Sequence, residues 1–191
     1  MADLTTRVNV KRALGIPSAV TQHDDYIDTL IEVADQECLA WTGQAALTLT
    51  TVTDEKYDVS NTHTNEFTLR NFPVTAIAAV KNAGATLSTD SWYFEPRSGT
   101  VRLTDASRYF DEGRKDILVT YTFGFTTVPA DLTFAATLIC VGHFNRARHS
   151  GLTSEGMGSY RYSVDRHAVP APAASLLARF RRIFPKEAQP T

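Results

Sequence analysis

Asp24, Asp25 and Asp28, in the run TQHDDYID, set three carboxylates within five residues, a density that could hold a divalent cation through oxygen ligands. They stand where a helix should begin. Thr21 with Asp24 makes a capping-box pattern, and negative charge at the positive end of a helix dipole accounts for all three without a metal. The five histidines, His23, His63, His143, His149 and His167, are dispersed, and no pair has the HExxH spacing of a zinc hydrolase. His143 and His149 lie six residues apart and fall on different faces of a helix. No GxSxG elbow is present, and serines such as Ser98 and Ser150 sit in turn-like contexts. Phosphate-binding GxxxxGK[ST] and GxGxxG loops are absent, and SEGMGSY lacks both the spacing and the lysine of a phosphate cradle. Asp111 and Glu112, before Gly113, suit a turn. The reading is of a chain with no catalytic set, no metal site and no cofactor, and no enzyme activity is expected of it.

Residues suited to binding lie near the C-terminus. Arginines stand beside aromatics in HFNRARH (143–149), SYRYSVDRH (159–167) and ARFRR (178–182). One use is nucleic-acid binding, with arginine on phosphate and aromatic rings stacked on bases. The other is a helix over 173–184 whose Leu176, Leu177, Phe180, Ile183 and Phe184 dock in a protein groove, while Arg179, Arg181 and Arg182 meet an acidic rim. The charge distribution favours the protein groove: residues 1–142 hold 11 Lys+Arg against 18 Asp+Glu, net −7, whereas 143–191 hold 8 against 3, net +5. A basic tail on an acidic body can steer onto another copy or onto an anionic partner such as DNA, yet no known DNA-reading motif is visible.

The elements that position these residues follow from periodicity. A short helix is expected over 6–15, with Val10 and Leu14 four apart and Gly15, Ile16 and Pro17 as its stop. A second, over 22–42, carries Ile27, Leu30, Ile31, Ala34, Cys38 and Trp41 at helical spacing and ends at Gly43. From 46 to 125 the period becomes two: LTLTTVT, EKYDV, EFTL, AIAAV, WYFE and TVRL alternate with turn-like NTHTN, KNAG, PRSG and DEGRK. Ile117, Val119, Tyr121 and Phe123 share one face of the last strand, opposite Leu118, Thr120 and Thr122. Gly124 frees the backbone to turn and Pro129 restarts a helix over 129–147, with Leu132, Ala135, Ala136, Ile139, Cys140 and His143 on one face. The expected fold is α+β: a small bundle of about four helices with an antiparallel β meander of six to eight strands inserted between the second and third, joined through Gly43, Gly124 and Pro129. Residues 1–149 form one domain, 150–169 a flexible loop and 170–191 a C-terminal helical arm.

Hydrophobic residues at 43% and charged residues at 21% are those of a soluble globular protein. The apolar runs are too short to span a bilayer, so no membrane partner is expected. The opening MADLTTRVNVKRALGI mixes charged and apolar residues unlike a signal peptide, so the chain is expected in the cytosol when made. Cys38 and Cys140, the two cysteines, fall among apolar residues as small hydrophobes. A disulfide between them is not required and stays open.

The order of these signals resembles the head-tail connector, or head-completion adaptor, proteins of long-tailed double-stranded DNA phages. VNVKRALGIPSAVTQHDDYIDTLIEVADQECLAWTGQ carries the family's opening pattern through Lys11, Leu14, Ile16, Asp24 with Asp25, Ala34, Thr42 and Gly43. NFPVTAIAAVKNAGATL matches its proline-valine strand and turn at Pro73, Val74, Ile77, Val80 and Gly84. ILVTYTFGFTTVPADLTFAATLICVGHFNRA follows its later signature at Val119, Tyr121, Gly124, Val128, Pro129, Leu132, Ala136, Val141, Phe144 and Arg146, with Phe144 where tyrosine is more usual. The resemblance implies a ring of twelve copies in the virion, between the portal protein and the next head-completion or tail protein, around the channel through which DNA leaves. It assigns portal docking to the arm (Leu176, Leu177, Arg179, Phe180, Arg181, Arg182, Ile183 and Phe184). Arg161, Tyr162 and Arg166 become an inter-subunit or tail-facing loop, and non-specific DNA contact in the channel is a further expectation.

Overall fold

Thr6 ends an extended stretch, and its hydroxyl accepts from Asn9 N–H (3.3 Å), closing the start of α1, Arg7–Leu14. These contacts belong to a computed structural model that describes residues 3–59, 63–111, 113–148, 154–157, 160–163 and 168–181. The chain divides into two compact units, Met1–Gln44 with Val128–Thr191, and Ala45–Thr127.

The first unit is helical. Helix α2, Asp24–Thr42, buries Ile27, Leu30, Ile31, Ala34 and Cys38, as their spacing predicts, and Gly43 caps it at φ 67°. Two details differ from expectation. No capping box forms: the N-cap is His23 without a side-chain bond, and the Asp24 carboxylate turns to Lys11 and Arg7 of α1 instead. Trp41 is 41% exposed, and Thr42, one position on, takes the inward place with its hydroxyl donating to Cys38 O (2.8 Å). Helix α3, Ala130–Arg148, starts one residue after Pro129, whose carbonyl accepts from Leu132 and Thr133 N–H. Leu132, Ala135, Ala136, Ile139 and Cys140 form its inward face against α2, with His143 half-buried at the edge. Both cysteines are buried free thiols, each pushed up to about 12 by burial, so they act as core side chains rather than a bridge.

The second unit holds two antiparallel sheets. Strands β1 (Thr50–Val59), β3 (Val74–Asn82), β4 (Ala85–Thr86) and β7 (Gly113–Phe123) form one, in the order β1-β7-β3-β4; β2 (Glu66–Thr68), β5 (Trp92–Glu95) and β6 (Thr100–Leu103) form the other, in the order β2-β6-β5. Among the described residues of this unit, β3–β4 and β5–β6 pair consecutively as in a meander, whereas β7 inserts between β1 and β3. The central place of β7 explains its pattern: Ile117, Val119, Tyr121 and Phe123 are buried as expected and form the middle of the core with Val80, Val101 and Phe110. Tyr57 and Tyr121 place their hydroxyls on Glu55, Tyr121 donating at 2.6 Å, while Asn71 Nδ2 donates to the Tyr121 hydroxyl (3.0 Å). Burial raises both phenols, Tyr121 to about 12, so the cluster is a satisfied buried network that stays neutral at tyrosine.

Gly124 is irreplaceable in this turn. Its φ is 99°, and a Cβ there would lie 2.4 Å from Thr48 O. The tightness comes from two returns of the backbone: Phe125 N–H donates to Leu47 O (3.0 Å) and Gly124 N–H to Pro73 O (2.9 Å).

Candidate interaction surfaces

The C-terminal arm is folded back onto the helical unit. Its helix α4, Ala171–Leu177, passes into a short 3-10 turn at Ala178–Phe180, and the backbone becomes extended at Arg181. The helix expected over 173–184 is therefore shorter, since its last intrahelical bonds tighten into 3-10 geometry before Arg181. Ala173 and Leu177 are fully buried against α3 and α2. Gly142 makes this approach close, because a Cβ at that position would stand 3.2 Å from Pro170 Cγ.

Polar latches hold both ends of the arm. Arg146 donates to Ala168 O (3.2 Å) and to His143 Nδ1 (3.1 Å). A guanidinium only donates, so Nδ1 is the acceptor and the ring proton lies on Nε2, which donates to Glu37 Oε1 at 2.8 Å. At the far end Gln44 Nε2 donates to Phe180 O (3.3 Å), and Arg179 pairs with Asp131 (2.8 Å) across an exposed surface. Apart from the Arg146–His143 pair, three positions apart on α3, these partners lie 22 to 136 positions apart, and residue spacing carries no trace of them.

The candidate docking residues thus separate. Leu177 is inside the unit; Leu176 and Phe180 are half-buried; Arg179 and Arg181 are exposed; Arg182, Ile183 and Phe184 lie outside the described residues. In the stretch read as a loop, β8 (Ser154–Met157) pairs antiparallel with β9 (Tyr160–Ser163), placing Arg161 opposite Gly156 and Tyr162 opposite Glu155. Arg166 lies outside the described residues.

A second polar centre was invisible in the sequence. Lys11, 5% exposed, meets the Asp24 carboxylate and donates to Ser18 O (3.3 Å) and Val20 O (2.7 Å), pinning the loop between α1 and α2. Arg7 bridges Asp24 (3.0 Å) and Asp28, and its hydrogen bond holds the Asp28 carboxyl below its ordinary value. Two of the three aspartates that suggested metal binding are therefore neutralised by α1. Among the described residues no three His, Cys, Asp or Glu side chains converge on a metal position, and no helix is long and apolar enough to cross a membrane.

Before α1, the Leu4 N–H donates to both Asp35 oxygens, 3.3 Å each, and Leu4 itself is buried. Thr5 bonds Thr137 through their hydroxyls (2.7 Å). Burial pushes the Asp35 carboxyl up to about 6.

Fold and surfaces define a class: a small α+β protein in which a two-sheet unit interrupts a helical one and a terminal helix is clasped to the third. Residues 3–183 match the family model described as "HCP: Head completion protein", and the chain belongs to that family. No curated protein sequence matches it. Among solved structures, it is similar to a chain in the "Virion of native gene transfer agent (GTA) particle" (TM-score 0.59, 17% identity, covering 96% of this chain and 91% of that one). A chain in the "Neck of empty GTA particle computed with C6 symmetry" gives 0.58 and 16%, covering 96% and 92%. One in the "Neck of native GTA particle computed with C12 symmetry" gives 0.52 and 14%, covering 99% and 98%. At these identities the likeness is one of fold.

Proposed function

We propose that the chain is a structural head-tail adaptor of a phage-like particle, without catalysis. Twelve copies form a ring in the virion, dock on the portal protein and join it to the next head-completion or tail protein around the DNA channel, after assembly in the host cytoplasm. The observation that carries this reading is the family match over residues 3–183, supported by a fold shared along nearly the full length with chains of GTA necks.

In this reading the arm is the portal-docking element, and its root and tip have different tasks. Ala173 and Leu177 anchor the root within the helical unit. Exposed Arg179 and Arg181 lead to Arg182, Ile183 and Phe184, which meet the portal; Arg161, Tyr162 and Arg166 face a neighbouring subunit or the tail side. A chain ending after Arg181 separates these tasks. It should keep its fold, judged by circular dichroism, and its rings, seen by electron microscopy, but lose co-assembly with portal rings from the same source. Normal attachment by this chain would overturn the docking assignment, and failure of the complete chain to join any portal ring would overturn the adaptor reading. If the basic residues instead act chiefly on DNA, the complete chain should bind duplex with steep salt dependence and no portal present.

A further inference from the structure

Between α1 and the first turns of α3 lies an open hollow of about 530 Å³, lined by Arg12, Ala13, Val128, Ala130, Thr133 and Phe134 among others. Its volume is in the range of sites that bury a ligand's apolar surface. Phe134 is 56% exposed there, a large aromatic face that the described residues leave uncovered. Among the described residues lining the hollow, Arg12 alone is charged, and it is exposed.

The C-terminal arm leaves the helical unit beside this hollow. Arg179 pairs with Asp131 (2.8 Å), which stands three positions before Phe134 and is therefore its neighbour on the helix surface. Gln44 holds the Phe180 carbonyl, and at Arg181 the backbone turns extended (φ −68°, ψ 129°). Residues 182–191 follow as RIFPKEAQPT, with Ile183, Phe184 and Pro185 as an apolar run and Glu187 as the one carboxylate side chain. Three extended residues reach about 10 Å, about twice the spacing of neighbouring Cβ atoms on a helix, so Phe184 can pass from Asp131 over Phe134 into the hollow. Glu187, three residues further on, then comes within reach of Arg12. The hollow floored by Phe144 lies thirteen positions beyond Asp131, about 20 Å along α3, and is out of reach of the same run.

We infer that in the free subunit Ile183 and Phe184 seat in the α1–α3 hollow of their own chain, with Glu187 toward Arg12, and that the portal draws this tip out on binding. The second half rests on the docking reading above. Seating covers two apolar surfaces that would otherwise promote association of free subunits. It also lowers the apparent affinity for the portal by the fraction of chains whose tip is free.

Disulfide closure in the complete chain at dilute concentration tests the contact. Both native cysteines are buried, so a Phe134→Cys/Phe184→Cys pair should close within one chain, whereas Tyr26→Cys/Phe184→Cys, at the Phe144 hollow, should not. Phe134→Ser, at an exposed position, should stay folded by circular dichroism and raise tryptic cleavage between Arg182 and Ile183 about tenfold. It should also tighten binding to portal rings about threefold. Phe184→Glu should free the tip as well but lose portal attachment. Equal closure of the two cysteine pairs, or unchanged cleavage in Phe134→Ser, would overturn the seat and leave the docking reading standing. A disulfide joining two chains would assign the hollow to another copy's tail, and weaker portal binding by Phe134→Ser would assign it to the portal; either result overturns the seat. Normal portal attachment by Phe184→Glu, with the disulfide between positions 134 and 184 formed, would overturn the docking reading and leave the seat.

Discussion

Asp35 offers a perturbation whose size can be worked out. The residue is 8% exposed, and burial moves its carboxyl from 3.8 to about 6 although Leu4 N–H contacts both oxygens. A carboxyl with a folded value above its unfolded one favours the neutral form in the fold. Its contribution to stability is thus greatest below 3.8 and declines as pH rises through about 6. At about 1.36 kcal/mol per unit of pH, the interval corresponds to about 3 kcal/mol lost at pH 7 and less than about 1 kcal/mol lost at pH 4. Asp35→Asn retains an oxygen for Leu4 N–H and carries no charge. It should stabilise the helical unit by up to about 3 kcal/mol at pH 7 and by under about 1 kcal/mol at pH 4. Urea unfolding from pH 4 to 8, followed by Trp41 fluorescence in a Trp92→Phe background, reads that unit, and the difference between the Asp and Asn chains cancels other titrating groups. A difference that stays flat across this range, or an Asn chain less stable at pH 7 than at pH 4 relative to Asp, would refute the reasoning.

Three further substitutions probe other supports. Gly124→Ala forces a Cβ onto Thr48 O at an unfavourable φ and should cost the β unit at least about 2 kcal/mol, read by Trp92 fluorescence in denaturant. Leu177→Ala empties a fully buried site and should cost about 2–4 kcal/mol, with faster amide exchange over 171–180 as the arm loosens. Lys11→Met leaves the Asp24 carboxylate to Arg7 alone and takes the donor from the carbonyls of Ser18 and Val20; a loss of about 1–3 kcal/mol in thermal or urea unfolding of the helical unit is expected.

The inward faces of α2, α3 and β7 were legible because burial imposes a period, and a period survives in one dimension. Trp41 was misplaced because at the end of α2 two adjacent residues compete for one inward direction, and Thr42 can satisfy its own hydroxyl on the preceding turn. The capping box was a sound local pattern overruled by a distant one, since Arg7 and Lys11 reach the aspartates from another helix. Strand order was opaque for the same reason: nothing in β1 or β3 states that each pairs with β7. Of the candidate surfaces, the basic arm was visible as composition, but its clasp, Arg146 on Ala168, His143 on Glu37 and Gln44 on Phe180, depends on contacts between residues far apart in the chain.

The backbone crossing at Leu47, Thr48 and Phe125 has an evolutionary consequence. Because the ingoing and outgoing strands of the β unit meet in an isolated parallel bridge, Thr48 with Phe125, the chain is closed off there into a cassette. The helical unit then experiences the whole insertion as a short connection, and the loop-closure entropy of joining α2 to α3 is largely met at that crossing. Lengthening, shortening or redecorating the sheets beyond it leaves the helices' closure cost nearly unchanged. The insertion can therefore diversify to suit new neighbours while the helical frame keeps its geometry.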